Sequence, residues 1–190
     1  MDPNPFVSAF TLLLNDFVTL TAYIEPHDDN LRTYSHRLYE LLLRACTEFE
    51  SVCKAKLIEQ GATKSPASMD INDYKSLEGT LRLEPAEVGW HIWRPQASYV
   101  RPFTAWSTSA PPLSWYSCYN RVKHDRSGAF SMANMENSRL AISGLFATLG
   151  RLELLPTNPP GHRVIFQDLA SRTNDIHYAY PQLSLRVPIL

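Results

Sequence analysis

Residues 30–60 read NLRTYSHRLYELLLRACTEFESVCKAKLIEQ and hold the longest regular pattern of the chain. Its apolar side chains recur every three or four positions and form one stripe: Leu31, Tyr34, Leu38, Leu41, Leu42, Ala45, Phe49, Val52, Cys53 and Leu57. Charged residues fill the rest of the surface, Asn30 is suited to cap the start, and Gly61 supplies a stop. The stretch therefore predicts an amphipathic helix about 45 Å long.

Prolines divide the rest of the chain, which has 14 of them and only 7 glycines. They leave two long blocks without proline, 27–65 and 113–155, in which helices can run without interruption. Apolar residues spaced by three and four predict three further helices, over 6–24, 113–126 and 131–155. The pattern therefore predicts a core of four helices.

Two other segments lack sustained helical periodicity. In the middle of the chain, Asp70 is suited to cap a short helix, and the aromatic stretch 88–106 predicts short strands or an irregular packing flap. In the tail, HRVIF (162–166) and LSLRVPIL (183–190) have the apolar alternation of short edge strands or of extended packing.

These elements together predict a mainly all-α fold. The helical bundle spans 1–155, with an aromatic and proline-rich insertion at about 62–112. Residues 156–190 form a C-terminal extension, which packs either on the bundle or on a partner.

Charge and composition exclude some classes of function. The chain has 18 Lys and Arg against 19 Asp and Glu, a net charge of −1, which excludes a broadly basic nucleic-acid binder but not a local basic patch. Its few glycines form neither GxGxxG nor GxxxxGK[ST], so a glycine-rich phosphate loop is excluded. Hydrophobic residues make up 44% of the chain, which is enough for a packed core.

The cysteines and the N-terminus predict a cytoplasmic protein without a membrane span. Cys46 and Cys53 lie on one predicted helix about 10 Å apart along its axis, too far for a disulfide. The first residues, MDPNPFVSAF, lack the basic start of a signal peptide, and no run of 18 apolar residues occurs. CxxC and HExxH are also absent, so we expect neither a metal site nor a cofactor.

The densest polar cluster is WYSCYNRVKHDR, residues 115–126. On a helix, Asn120 and His124 share a face because they are four positions apart, and Tyr116 lies one turn earlier on that face. An imidazole can transfer protons near neutral pH, an amide can orient a hydroxyl or a phosphate oxygen, and the neighbouring Lys123 or Arg121 can offset negative charge. The cluster is therefore a candidate site for acid–base chemistry on a phosphodiester.

The run YNRVKHDR, residues 119–126, resembles the motif of the HEPN (higher eukaryotes and prokaryotes nucleotide-binding) superfamily. That motif is an arginine, a polar residue that is often asparagine, three free positions and a histidine. In this chain the polar position falls on Asn120, the histidine on His124, and the arginine position on Tyr119, which carries no charge at neutral pH.

The resemblance implies an all-α bundle of four or five helices. Many members are metal-independent endoribonucleases of toxin–antitoxin and anti-phage defence systems, and they dimerise so that two motifs face each other across one RNA-cleaving cleft. The implied partners are therefore a second copy of the chain, RNA or a nucleotide, and a cognate antitoxin or defence-system protein.

The same resemblance implies a role for each residue of the cluster. His124 would be the acid–base residue and Asn120 would orient the attacking 2′-hydroxyl or the phosphate. The remaining residues would bind RNA phosphates or support the site. The phosphate-binding residues are Lys123, Arg126 and Arg121, and the supporting residues are Tyr119 and Tyr116.

Simpler interpretations of the cluster stay open. Cations at a helix end complement the helix dipole, and His124 can be a structural donor to Glu48 or Glu50. The aromatic residues of the cluster can be core packing. The alternative functions are a catalytically inactive binding or dimerisation module, and a sensor of a nucleotide or small ligand with 88–106 lining its pocket.

Overall fold

The computed structural model describes residues 4–107, 112–156, 164–168 and 173–188. The α-helices in these ranges are α1 Pro5–Leu20, α2 His36–Glu59, α3 Ile71–Lys75, α4 Glu78–Leu81, α5 Ser114–His124, α6 Arg126–Ala129 and α7 Met135–Arg151. The strands are β1 Glu87–Trp90, β2 Ser98–Val100, β3 Val164–Asp168, β4 Thr173–His177 and β5 Leu183–Pro188. The described chain is mainly helical, as the sequence predicts.

The long helix α2 is shorter than its sequence pattern predicts. It begins after Ser35, whose hydroxyl accepts a hydrogen bond from the Leu38 N–H at 3.1 Å. Asn30 is therefore not its cap; the Asn30 amide instead donates to the Glu25 carbonyl at 3.0 Å. The end is as predicted, since Gly61 follows the helix with a φ of 86°.

Residues 31–34 are not helical because their backbone bonds to the start of α7. The Met135 N–H donates to the Thr33 carbonyl at 2.9 Å, and the Glu136 N–H donates to the Leu31 carbonyl at 3.0 Å. These two bonds attach the segment before α2 to the beginning of α7, a contact between distant parts of the chain.

Capping side chains set most of the other helix ends. Asn4 accepts from the Phe6 N–H at 3.0 Å, and Asp70 accepts from the Asn72 N–H at 2.8 Å, which confirms the predicted cap at Asp70. The predicted helix over 113–126 is divided in two, since α5 ends at His124 and Asp125 caps α6 by accepting from the Gly128 N–H at 2.9 Å.

The helix α7 lies at the centre of the protein. Its residues from 141 to 150 are buried, with α2 on one side and the sheet on the other. Two glycines allow these close contacts: a Cβ at Gly144 would lie 2.9 Å from the Trp115 ring, and a Cβ at Gly150 would lie 2.8 Å from Leu185. A helix that is buried around its whole circumference is the centre of a core, not a surface element.

The prediction of a mainly helical fold is confirmed, and the short strands expected in the insertion and the tail join into one five-stranded sheet. The sheet is antiparallel with the order β2-β1-β5-β4-β3. Its first two strands come from the insertion and its other three from the tail, so the tail strand β5 pairs with β1 of the same chain. Strands of three to six residues give a weak sequence signal, and only their pairing stabilises them.

The tail strands also occupy positions that the sequence did not predict. The predicted edge segment 183–190 contains β5, which is the central strand, whereas β3, which overlaps the predicted segment 162–166, lies at the edge. Residues 162, 163, 189 and 190 of these segments lie outside the described residues. The strand β1 is attached to the helices through Trp90, which packs on Phe17 at 5.0 Å between ring centroids and donates to the Ser143 hydroxyl at 2.9 Å.

The helices and cysteines of the described residues can be compared with the prediction of a cytoplasmic protein without a membrane span. None of the helices in the described ranges combines the length and the apolar character that crossing a membrane requires. Cys46, Cys53 and Cys118 are buried free thiols, and burial raises the pKa of each of them. A cytoplasmic location stays a prediction.

We expect Phe49→Ala to lower the free energy of unfolding by about 3–5 kcal/mol, measured by urea or guanidinium titration. The Phe49 ring is fully buried and contacts Trp115 at 5.2 Å and Phe103 at 5.8 Å between centroids, so truncation leaves a cavity where α2, α5 and the insertion meet. Ile58→Ala is the matched control on the same helix, because Ile58 is 50% exposed. An equal loss in both variants would contradict this arrangement of the core.

Candidate functional site

One side of α5 is buried and the other carries the polar residues of the cluster. The buried residues are Trp115, Tyr116, Cys118, Tyr119 and Val122. The aromatic residues of the cluster are therefore core packing, as the simpler interpretation predicts, and the Trp115 indole donates to the Pro102 carbonyl at 2.8 Å. This packing fixes the rotation of α5 and leaves Arg121, Lys123 and His124 exposed.

Tyr116 joins α5 to α2. Its hydroxyl donates to Glu50 Oε1 at 2.8 Å, and Glu50 in turn lies 3.4 Å from the Lys54 ammonium group. Burial, followed by the hydrogen bond to Glu50, raises the pKa of Tyr116 well above its usual value. The hydroxyl is therefore a neutral structural donor that bonds to the carboxylate of the neighbouring helix.

Tyr119, at the family's arginine position, is also buried. The Lys123 ammonium group donates to its hydroxyl at 3.2 Å and lies 5.1 Å from the centroid of its ring. Burial raises the pKa of Tyr119, and the hydrogen bond to Tyr119 raises the pKa of Lys123. At the position where the HEPN motif has an arginine, this chain thus has a neutral phenol, which accepts a hydrogen bond from Lys123.

His124 is the last residue of α5 and lines a surface pocket of about 560 Å³. The pocket lies where α5 and α6 meet the start of α2. Its lining residues are His36, His124, Asp125, Arg126, Ser127 and Phe130. Below, we call this the two-histidine pocket.

Arg126 is held in place at one side of the two-histidine pocket. Its guanidinium nitrogen Nη2 lies 2.8 Å from Nδ1 of His36. The guanidinium carbon lies 4.8 Å from the Tyr39 ring centroid and 5.8 Å from that of Phe130, both within the range of cation–π attraction. Arg126 is exposed, so these contacts orient its positive charge without removing it from solvent.

The structure thus unites only part of the predicted cluster. His124 and Arg126 line the two-histidine pocket, whereas Asn120 lies half-buried one helical turn earlier and Arg121 is exposed; neither belongs to the lining. Asp125 caps α6 and, within the described chain, forms no ion pair with Arg121. The Tyr116 hydroxyl bonds to Glu50 of α2, and the Lys123 ammonium group bonds to the Tyr119 hydroxyl within α5. Tyr116, Tyr119 and Lys123 do not line the pocket.

Sequence reasoning missed His36 and Phe130. His36 is 90 positions from Arg126, and it is the first residue of a helix whose pattern gave no reason to single it out. Phe130 follows the motif in a short 3-10 helix, Phe130–Met132, and packs against the His36 ring at 4.8 Å between centroids. The one signal for His36 in the sequence was that a histidine lies outside the apolar stripe of residues 30–60.

Comparison of the chain with protein-family models, with curated proteins and with solved structures found no match. In the described ranges, the His, Cys, Asp and Glu side chains form no group of three or more that could hold a metal ion. The HEPN resemblance therefore rests on the quoted motif and on the helical pattern.

We expect Tyr116→Phe to destabilise the fold by about 1–2 kcal/mol, because it removes a hydrogen bond to a half-buried carboxylate. Chemical denaturation measures this change. Tyr23→Phe is the control, since the Tyr23 side chain is 84% exposed. If the two variants unfold at the same denaturant concentration, the Tyr116–Glu50 bond does not join α5 to α2.

Proposed function

We propose that the protein is a HEPN-like, metal-independent endoribonuclease that acts at the two-histidine pocket. The observation that carries the proposal is the pairing in one open pocket of the His124 imidazole with the Arg126 guanidinium. An imidazole that can gain and lose a proton, next to a cation, is the combination that phosphodiester transesterification requires.

The proposed reaction is an internal transesterification of RNA. His124 accepts the proton of a 2′-hydroxyl, the 2′ oxygen attacks the adjacent phosphorus, and the bond from phosphorus to the 5′ oxygen breaks. The 5′ oxygen leaves with a proton from an imidazolium, giving a 2′,3′-cyclic phosphate and a 5′-hydroxyl. Arg126 offsets the negative charge that grows on the phosphate oxygens.

The other residues of the motif have supporting roles in this proposal. The resemblance assigns to Asn120, which lies one turn before His124 on α5 and outside the pocket lining, the role of orienting the attacking hydroxyl or the phosphate. Arg121 and Lys123 are exposed near the same helix end and extend the positive surface along the RNA backbone. In the homodimer that the resemblance implies, two copies of the pocket face each other and their imidazoles divide the roles of base and acid.

His124→Ala is expected to reduce the cleavage of a short RNA in EDTA by at least about 10²-fold, because it removes the proton-transfer group. His27→Ala, which removes an imidazole outside the two-histidine pocket, should cut like the wild type. The products are separated by electrophoresis, and the cyclic phosphate is identified by mass spectrometry. Equal cleavage by H124A and the wild type would refute the proposed role of His124.

Binding should depend on salt, since the net charge is −1 and only local cations attract RNA. We expect Arg126→Ala, in a His124→Ala background that prevents cleavage, to lower the slope of log K against log salt by about 0.7. Arg101→Ala is the control, because Arg101 already pairs with Glu87 at 2.7 Å. Fluorescence anisotropy measures both slopes, and an unchanged slope for R126A would contradict a phosphate contact at Arg126.

The burial of Tyr119 favours a second candidate function, a catalytically inactive binding or dimerisation module. A protein of this kind binds RNA or a second copy through the same surface but leaves RNA intact. The cleavage assay separates the two candidates, and so does expression: toxicity that His124→Ala relieves supports the enzyme. The ligand-sensor alternative is less well supported, since Trp90 and Trp93 of the 88–106 segment are buried in the core.

A further inference from the structure

We propose that His36 is a second RNA-binding histidine of the two-histidine pocket, and that it donates its Nε2–H to a phosphate oxygen of the substrate. The inference rests on the proposed nuclease function and adds to it a residue outside the sequence motif. It assigns the two histidines different chemistry: His124 exchanges a proton, and His36 is a fixed hydrogen-bond donor.

The contact with Arg126 determines which nitrogen of His36 carries hydrogen. Nδ1 of His36 lies 2.8 Å from Nη2 of Arg126, and a guanidinium can only donate hydrogen bonds. Nδ1 therefore accepts, and the ring proton resides on Nε2. While this bond holds, the guanidinium engages the Nδ1 lone pair, and Nε2–H is the donor that the ring offers.

The exposed His36 ring also has an aromatic neighbour in the pocket. The ring contacts Phe130 at 4.8 Å between centroids, and the Arg126 guanidinium lies over both Phe130 and Tyr39. His36 is also the first residue of the 24-residue helix α2, which Ser35 caps, so its backbone is fixed. A donor that is already oriented loses little conformational freedom when the substrate binds.

The other groups of the pocket complement this donor. His124 lines the same pocket and forms no side-chain hydrogen bond with any residue that the structure describes. The Asp125 carboxylate accepts from the Gly128 N–H at 2.9 Å and from the Ser127 hydroxyl at 3.4 Å, so its charge is directed at the start of α6. The pocket thus combines two imidazoles, one of them bonded to Arg126, with a guanidinium, which suits an anionic phosphodiester.

Glutamine distinguishes the two roles. A glutamine carboxamide has an oxygen that can accept from Arg126 and an N–H that can donate to a phosphate, but it cannot take up a proton. His36→Gln should therefore preserve the function that we assign to His36. His124→Gln should abolish the function that we assign to His124.

The test measures RNA cleavage in EDTA by the full chain. We expect H36Q to cleave within a few-fold of the wild type and H36A to lose about 10²-fold, the loss that follows removal of one donor to a developing anion. H124Q and H124A should both be inactive, and H27A is the control. Thermal melting of each variant confirms that the loss does not come from unfolding.

A second readout does not depend on activity. Long-range ¹H–¹⁵N spectra of the imidazoles report which ring nitrogen carries hydrogen, and we expect His36 to be in the Nε2–H form in the wild type. Arg126→Ala should weaken this preference toward that of an unpaired histidine, while Arg101→Ala should leave it unchanged. An Nδ1–H form of His36 in the wild type would overturn the inference.

The outcomes separate the inference from the proposed function. If the wild type cleaves RNA and H36A cleaves it equally well, His36 does not bind the substrate and the inference alone fails. If H36Q is as inactive as H36A, the fixed-donor role fails. If the wild type does not cleave RNA at all, the proposed function fails, and the assignment of His36 fails with it.

Discussion

The burial of residues 141–150 of α7 is the constraint on which the rest of the structure depends. A helix buried on all sides needs apolar or small residues around its circumference and partners for its polar side chains. Ser138 donates to the Leu38 carbonyl at 3.1 Å, and Thr148 donates to the Gly144 carbonyl at 2.8 Å. Ser143 accepts from the Trp90 indole and so bonds α7 to the sheet. Ser138 and Ser143 thus join α7 to α2 and to the sheet.

The sheet covers the face of α7 that the other helices leave uncovered. The helices α1, α2 and α5 pack around it, and strands from the insertion and the tail cover the remainder. Leu185 of β5 lies against Gly150, and Trp90 of β1 lies against Phe17. These strands are too short to be stable alone, so their pairing and the apolar area that they bury on the helices form together.

The two-histidine pocket is a consequence of how the helices end. α5 stops at His124 because Asp125 caps the next turn, and α2 starts at His36 because Ser35 caps it. The packing of α5 on α2, with the Tyr116–Glu50 bond, brings these two ends together. Arg126, at the first position of α6, then lies between a histidine and aromatic rings. The surrounding helices thus set the chemistry of the pocket.

The sequence by itself determined the helical character, the long α2 and the cap at Asp70, because these follow from local periodicity and local hydrogen bonds. It also singled out His124 and Arg126, which share a short motif. Only the tertiary structure decided the strand order, the late start of α2 and the partnership of His36 with Arg126. Those features depend on contacts between residues far apart in the chain, and local patterns carry no signal for such contacts.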